Sequence, residues 1–161
     1  MIPYLEIVIC TMKSNSSNNI QQLMDRFEKT LRARGLRITH QRSEVFKALM
    51  KHPNHPTTEN VFDQVRKTLR SISLDTVYRT IATFEEYGLI RRVHHLDSAT
   101  RFDVNLSNHH HLVCKKCNQI EDFYWPDFDE MKPPHSVSDW GQVELKHVVI
   151  KGLCSKCKRK Q

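Results

Sequence analysis

Long apolar runs are missing from this chain, and so is any export signal. The first ten residues, Met1-Ile2-Pro3-Tyr4-Leu5-Glu6-Ile7-Val8-Ile9-Cys10, are only mildly apolar. They carry Glu6, lack a basic leading segment and are too short to cross a bilayer. No other stretch is apolar enough to span, so a cytoplasmic protein with no membrane partner is expected. Glycine and proline are also scarce, at 4 and 6 of 161 residues, which excludes a low-complexity chain and leaves the bulk free to fold. Acidic charge falls short of basic charge, 18 residues against 25, for a formal balance of +7. That excess raises the expectation of a polyanionic partner, chiefly nucleic acid. The length suits one ordinary domain or two small ones, and a small domain gains from a staple or a dimer partner.

Met12 offers a second start, followed by the polar stretch Lys13-Ser14-Asn15-Ser16-Ser17-Asn18-Asn19. Residues 1–19 are expected to be a flexible segment, and the leader before Met12 reads either as an over-extended start or as a genuine extra piece. From Ile20 the pattern turns helical. Ile20, Leu23, Met24, Phe27 and Leu31 recur at helical spacing and Gly35 ends the run. Thr39 caps a second helix carrying Val45, Phe46, Leu49 and Met50, and Thr57 caps a third with Val61, Phe62, Val65 and Leu69 inward. Ser73 caps a fourth, with Val77, Ile81 and Phe84 inward and Gly88 as its left-handed stop. Strand-like runs over 89–95 and 100–104 follow, joined at Asp97-Ser98. Three helices, a fourth with a polar and basic outer face, and a hairpin make a winged helix-turn-helix over residues 20–104.

The remainder, 105–161, has a different character. His109-His110-His111 leads into Cys114-Lys115-Lys116-Cys117, then a strand-like 120–124, an irregular 125–139 containing Pro133-Pro134, a strand-like 143–150, and Cys154-Ser155-Lys156-Cys157. The fold class expected is α+β: a winged helix followed by a small α/β domain.

Cysteine usage narrows the chemistry. The five cysteines are an odd count without a signal peptide, which argues against a secreted disulfide framework. Four of them form two Cys-x-x-Cys pairs. Zinc takes four thiolates in a tetrahedron, and a two-residue gap lets one tight turn present two sulfurs. Lys115, Lys116, Lys156 and Lys158 favour thiolate over thiol. One such pair would leave redox chemistry open; two, without a thioredoxin-like context, favour structural Zn2+ on Cys114, Cys117, Cys154 and Cys157. Cys10 lies outside the set.

The triple histidine is less decisive. On a strand, His109 and His111 face one way and His110 the other. Two such imidazoles can share a metal, and oxygen ligands would tip the choice toward Fe(II) or Mn(II). Asp103 and Asp122 flank the cluster, while His55 reaches it only through tertiary folding.

These fragments, in this order, resemble the ferric uptake regulator family. They are Gly35-Leu36-Arg37-Ile38-Thr39-His40-Gln41-Arg42, His55-Pro56-Thr57, the run Ser73-Leu74-Asp75-Thr76-Val77-Tyr78-Arg79-Thr80-Ile81, Arg101-Phe102-Asp103, the stretch from His109 to Cys117, Ile120-Glu121-Asp122-Phe123 and the final cysteine pair. The resemblance runs from about residue 20 to residue 158. It implies a C-terminal domain that dimerises, zinc on the four cysteines, and a regulatory Fe2+ or Mn2+ site of His55, Asp103, His109, His111 and Asp122 at the junction of the domains. It implies a repressor that binds an inverted-repeat operator in double-stranded DNA as a homodimer. Asp122 stands where iron-sensing members usually carry glutamate, so the residue types resemble the peroxide-stress branch most. In that branch iron-driven oxidation of a ligand histidine, here His55 or His109, weakens metal binding and releases DNA. The oxidation is stoichiometric, so neither an enzyme nor a small-molecule substrate is expected.

Two departures from the family stand out. A further metal site in many members uses a histidine six residues before a glycine on the last long strand. That position is Lys146, with His147 beside it, although His110 and Asp129 match other members of the site. Pro133-Pro134 falls where relatives have a helix, which is expected to be short or broken. On the DNA side, the fourth helix is expected in the major groove. Tyr78 and Arg79 lie on its polar side, with Ser73, Asp75 and Thr76 at its N-terminal end; Tyr78 suits a thymine methyl or a phosphate, and Arg79 a guanine edge or a phosphate. Arg37, Arg42, Arg91 and Arg92 read as phosphate clamps. The alternatives are a regulator of iron, zinc or nickel availability and, from another class, a zinc-binding thiol-redox protein that does not bind DNA.

Overall fold

A computed structural model describes residues 16–52, 55–93 and 99–160. Cys10, Met12, the leader and the turn at Asp97-Ser98 lie outside the described residues. The chain divides into two compact units, with the boundary between Leu106 and Ser107, two residues beyond the point the sequence suggests.

The first unit begins with α1, Ser16–Ala33. The helix starts before its first apolar position, so residues 16–19, expected to be flexible, are helical. It stops at Gly35, whose φ of 68° is left-handed; Leu36 N donates to Leu31 O and Gly35 N to Arg32 O, satisfying the last carbonyls. Helix α2, His40–Lys51, is capped by Thr39, whose hydroxyl accepts from Arg42 N. Helix α3, Thr58–Arg66, carries a reciprocal box between Thr57 and Asn60. It ends three residues before Leu69, which still packs against the core. Helix α4, Leu74–Glu86, is capped by Ser73 and stopped at Gly88, φ 65°, with Leu89 N donating to Phe84 O. Each cap is the one its residue type predicts.

These helices bury one core. The Phe27 and Phe46 rings stack at 4.5 Å, and both meet the edge of Phe84 at 5.5 and 5.7 Å. Leu31, Val45, Leu49, Val61, Val65, Val77 and Ile81 close around them. Strands β1, Arg91–Val93, and β2, Arg101–Asp103, pair antiparallel as the wing, and residues 94 and 95 of the expected first run lie outside the described residues. Arg26 of α1 donates to Leu89 O and Val104 O, anchoring the start and end of that hairpin.

The second unit is a three-stranded sheet. Its middle strand β3, His110–Cys114, runs antiparallel to β4, Ile120–Phe123, and parallel to β5, Val149–Gly152. Residues 143–148, expected as strand, carry none; the pairing starts only where His111 meets Val149. Between β4 and β5 lie two short helices, α5, Pro126–Glu130, and α6, His135–Trp140. The expected irregular stretch is therefore a helix broken at Pro133-Pro134, since proline cannot donate within a helix and forces its predecessor out of helical geometry. A single turn, α7, Ser155–Lys158, closes the chain.

Candidate metal centres and nucleic-acid face

The four cysteines meet through the backbone geometry of two knuckles. Cys114 ends β3; Asn118 N donates back to its carbonyl at 2.9 Å, and Asn118 takes a left-handed φ of 56° to close the knuckle. Cys154 caps α7, which carries Cys157 one turn on. The β3–β5 pairing ties the two knuckles together, with Lys115 N on Gly152 O at 2.8 Å and Cys154 N on the Cys114 sulfur at 3.4 Å. All four sulfurs lie within 4.8 Å of one another, and Cys117 and Cys154 are 3.8 Å apart. Sulfurs about 2.3 Å from one zinc in a tetrahedron sit roughly 3.8 Å from each other, so the set fits that ion. No pair among them is a disulfide. Their thiols are strongly split. The backbone amides of Cys154 and Cys117 hold Cys114 down to about 6, whereas burial and the neighbouring thiols push Cys157 up to about 12. Four crowded sulfurs cannot all be thiolate unless a cation joins them.

The residues expected to form a regulatory site fall into two groups, one in each unit. In the second unit, alternation along β3 brings the His109 and His111 side chains together, as the sequence suggests. Their Nε2 atoms are 3.1 Å apart, and Asp122 Oδ1, opposite His111 on β4, lies 3.8 and 3.6 Å from them. Ligands about 2.0–2.2 Å from one metal at neighbouring positions sit roughly 3 Å apart, so two imidazoles and a carboxylate already converge as one face of a metal site. His109 Nδ1 lies 2.9 Å from Ser107 O, which favours the tautomer with its proton on Nδ1 and a lone pair on Nε2.

In the first unit, His55 and Asp103 are both buried, with His55 Nε2 3.7 Å from Asp103 Oδ2. His55 has φ 38°, a left-handed conformation that costs a non-glycine residue about 1–3 kcal/mol. Strand β2 holds it there: Arg101 Nη1 donates to His55 O, and Phe102 N donates to Pro56 O, both at 3.0 Å. Asn105 N donates to Asp103 Oδ1 at 2.7 Å. Arg101 in this anchoring role is a residue that sequence reasoning missed. Its place in Arg101-Phe102-Asp103 was visible, but the partner is a carbonyl 46 positions away.

His110 points the other way and is fully buried. Its Nδ1 accepts from Val148 N at 3.2 Å, its Nε2 is 3.5 Å from Asp129, and its ring packs on Phe123 and Phe128. Lys146 donates to Phe128 O at 2.7 Å and to Met131 O, with its ammonium 5.4 Å over the Phe128 ring. His147 is exposed. Among the described residues, no set of three ligating side chains that includes His110, Asp129 or His147 comes together.

On α4, the outer face keeps Tyr78 and Arg79 exposed. Ser73 and Thr76 bond each other, Oγ to Oγ1 at 2.8 Å, and Ser73 also caps Thr76 N. Tyr78 donates its hydroxyl to Glu59 of α3 at 2.5 Å, a partner that sequence reasoning did not connect. Three of the four arginines read as phosphate clamps have partners within the unit. Arg92 is paired with Glu85 at 2.6 Å, Arg91 donates to Leu106 O, and Arg42 donates to Arg37 O at 2.6 Å. The Arg37 side chain is exposed.

Residues 33–151 match the model of the ferric uptake regulator family. The chain is 34% identical over 130 residues to a peroxide-responsive repressor PerR of Staphylococcus epidermidis, covering 80% of this chain and 86% of that protein. Among solved structures it is similar to the Campylobacter jejuni peroxide stress regulator, with 28% identity, a TM-score of 0.59 and coverage of 86% and 98% of the two chains. The Helicobacter pylori ferric uptake regulator, 20% identical, shares the fold at a TM-score of 0.71 over 86% of this chain and 93% of its own. The chain therefore belongs to the ferric uptake regulator family.

Proposed function

We propose that this protein is a metal-dependent transcriptional repressor that responds to peroxide through Fe(II) or Mn(II), acting in the cytoplasm as a homodimer on an inverted-repeat operator. The observation that carries this reading is the convergence of His109, His111 and Asp122, whose ligand atoms lie 3.1–3.8 Å apart. Two imidazoles and one carboxylate with positions left open are the donor set of peroxide- and oxygen-reactive iron, whereas four thiolates hold an ion that does no redox chemistry.

His55 and Asp103 complete the proposed regulatory set with ligands from the other unit. Occupancy of that set would favour the conformation that holds DNA. Fe(II), when bound, supplies the one-electron chemistry that peroxide needs. The protein's part is to hold His55 and His109 where they can be oxidised. Arg101 pins the His55 turn, Ser107 fixes the His109 ring, and Asp122 supplies the charge. An oxidised imidazole is a poorer ligand, so the set loosens and DNA is released. The aspartate at position 122 and the peroxide-responsive relatives favour this signal over metal availability.

The test is fluorescence anisotropy with a duplex from the protein's own upstream region. Apo protein should bind weakly, and Mn(II) should tighten binding at least tenfold. Peroxide should abolish the gain in the Fe(II) form and spare the Mn(II) form. Equal binding with and without metal would reject metal control.

A further inference from the structure

Tyr78 stands on the outer face of α4, 47% exposed, and its hydroxyl proton is already committed to Glu59. A phenol has one proton to give. Once it is given to a carboxylate, the oxygen has only lone pairs left to offer. Glu59, itself exposed, is ionised and accepts only. The Tyr78 bond and its own backbone amide hold its carboxyl below the ordinary range. The pair thus presents acceptors to whatever lies beside α4.

Phosphate oxygens are also acceptors and carry negative charge, so the pair repels them. In the major groove, guanine N7 and O6, thymine O4 and adenine N7 are acceptors, and only adenine N6 and cytosine N4 carry donor protons. Ser73 and Thr76 are bonded to each other, which commits one of their two hydroxyl protons within the helix cap. Arg79, next in sequence, offers only donors.

We propose that Glu59 and Tyr78 together form a specificity-determining pair that reads an exocyclic amino group of adenine or cytosine in the major groove. The pair narrows the two contacts open to Tyr78, a base or a phosphate, to the base. A free tyrosine hydroxyl could donate to any phosphate and would add affinity without sequence information. Glu59 takes that proton and adds a charge that disfavours backbone contact. This inference rests on the DNA-binding reading above.

The experiment is selection from a pool of randomised DNA duplexes by the full Mn(II)-loaded protein, with sequencing of the bound fraction. Wild type should show one position in each half-site where an amino-bearing base is preferred on the order of tenfold. Glu59→Gln, whose amide can donate as well as accept, should flatten that position to within about twofold. It should leave the remaining positions sharp and hold or raise affinity for random DNA. Tyr78→Phe should flatten the same position. Unchanged profiles in both variants would overturn the proposal, as would a Glu59→Gln protein weakened equally on all sequences. A wild-type protein that selects no sequence would reject the DNA-binding reading itself, and this inference with it. A cooperative melting transition above the assay temperature and retained preference at other positions show that the variants are folded.

Discussion

Removing the zinc should melt the second unit and leave the first intact. Among the described residues of the second unit, Ile120 and Phe123 are the only large apolar side chains more than nine-tenths buried, apart from the cysteines. Burying two such side chains contributes roughly 3–6 kcal/mol. A structural zinc on four thiolates contributes about 10–16 kcal/mol in zinc-finger peptides. The ion therefore outweighs the apolar core of this unit by a factor of about two to five. The first unit buries fifteen residues in one cluster and has no such debt. Cys157→Ser removes a buried cysteine, the proposed zinc ligand carried by α7. The assay is limited proteolysis with mass spectrometry, beside far-UV circular dichroism. Cys157→Ser protein, or wild type in strong chelator, should be cut throughout residues 107–160. The fragment ending near residue 106 should survive and keep the helical signal of α1 to α4. A second unit that resists protease with less than one zinc per chain would refute the reasoning.

Arg101→Lys should keep a positive charge but lose the planar donor that reaches the His55 carbonyl. A charge-assisted hydrogen bond of about 1.5–3 kcal/mol is at stake, so Mn(II) affinity by calorimetry should fall roughly 10- to 150-fold with zinc content unchanged. Phe46→Ala empties a site between two rings and should lower the stability of the first unit by about 3–5 kcal/mol in urea titration. The pH dependence of stability should carry a small Glu59 component. Its folded pKa is depressed by the Tyr78 hydroxyl, so the stabilisation is present above the unfolded value and is lost as pH falls through the folded one. Glu59→Gln should therefore flatten the acid limb of melting temperature against pH, below about pH 5.

Much of this molecule is legible in its sequence because its signals are local. Thr39, Thr57 and Ser73 cap the helices their positions predict, and Gly35 and Gly88 stop helices where left-handed backbone is required. The cysteine pairs announce themselves by spacing, and alternation alone separates His110 from His109 and His111. What was not legible depends on long-range partners. Nothing within a few residues of Glu59 or Arg101 points to Tyr78, 19 positions on, or to the His55 carbonyl, 46 positions back. The arginines of the wing look like solvated clamps until Glu85 and Leu106 are placed beside them. The strand expected from Val143 begins only at Val149, because the alternation there is weak and register is set by β3 rather than by the segment itself.

In the proposed function, the His55, Asp103, His109, His111 and Asp122 set makes this protein a peroxide sensor. Its most direct test is peptide mass spectrometry after anaerobic loading with Fe(II) or Mn(II) and one equivalent of hydrogen peroxide. An added oxygen on His55 or His109 in the iron form only, together with loss of DNA binding, is the predicted result. Unmodified histidines in fully iron-loaded protein would contradict it and make the protein a regulator of metal availability.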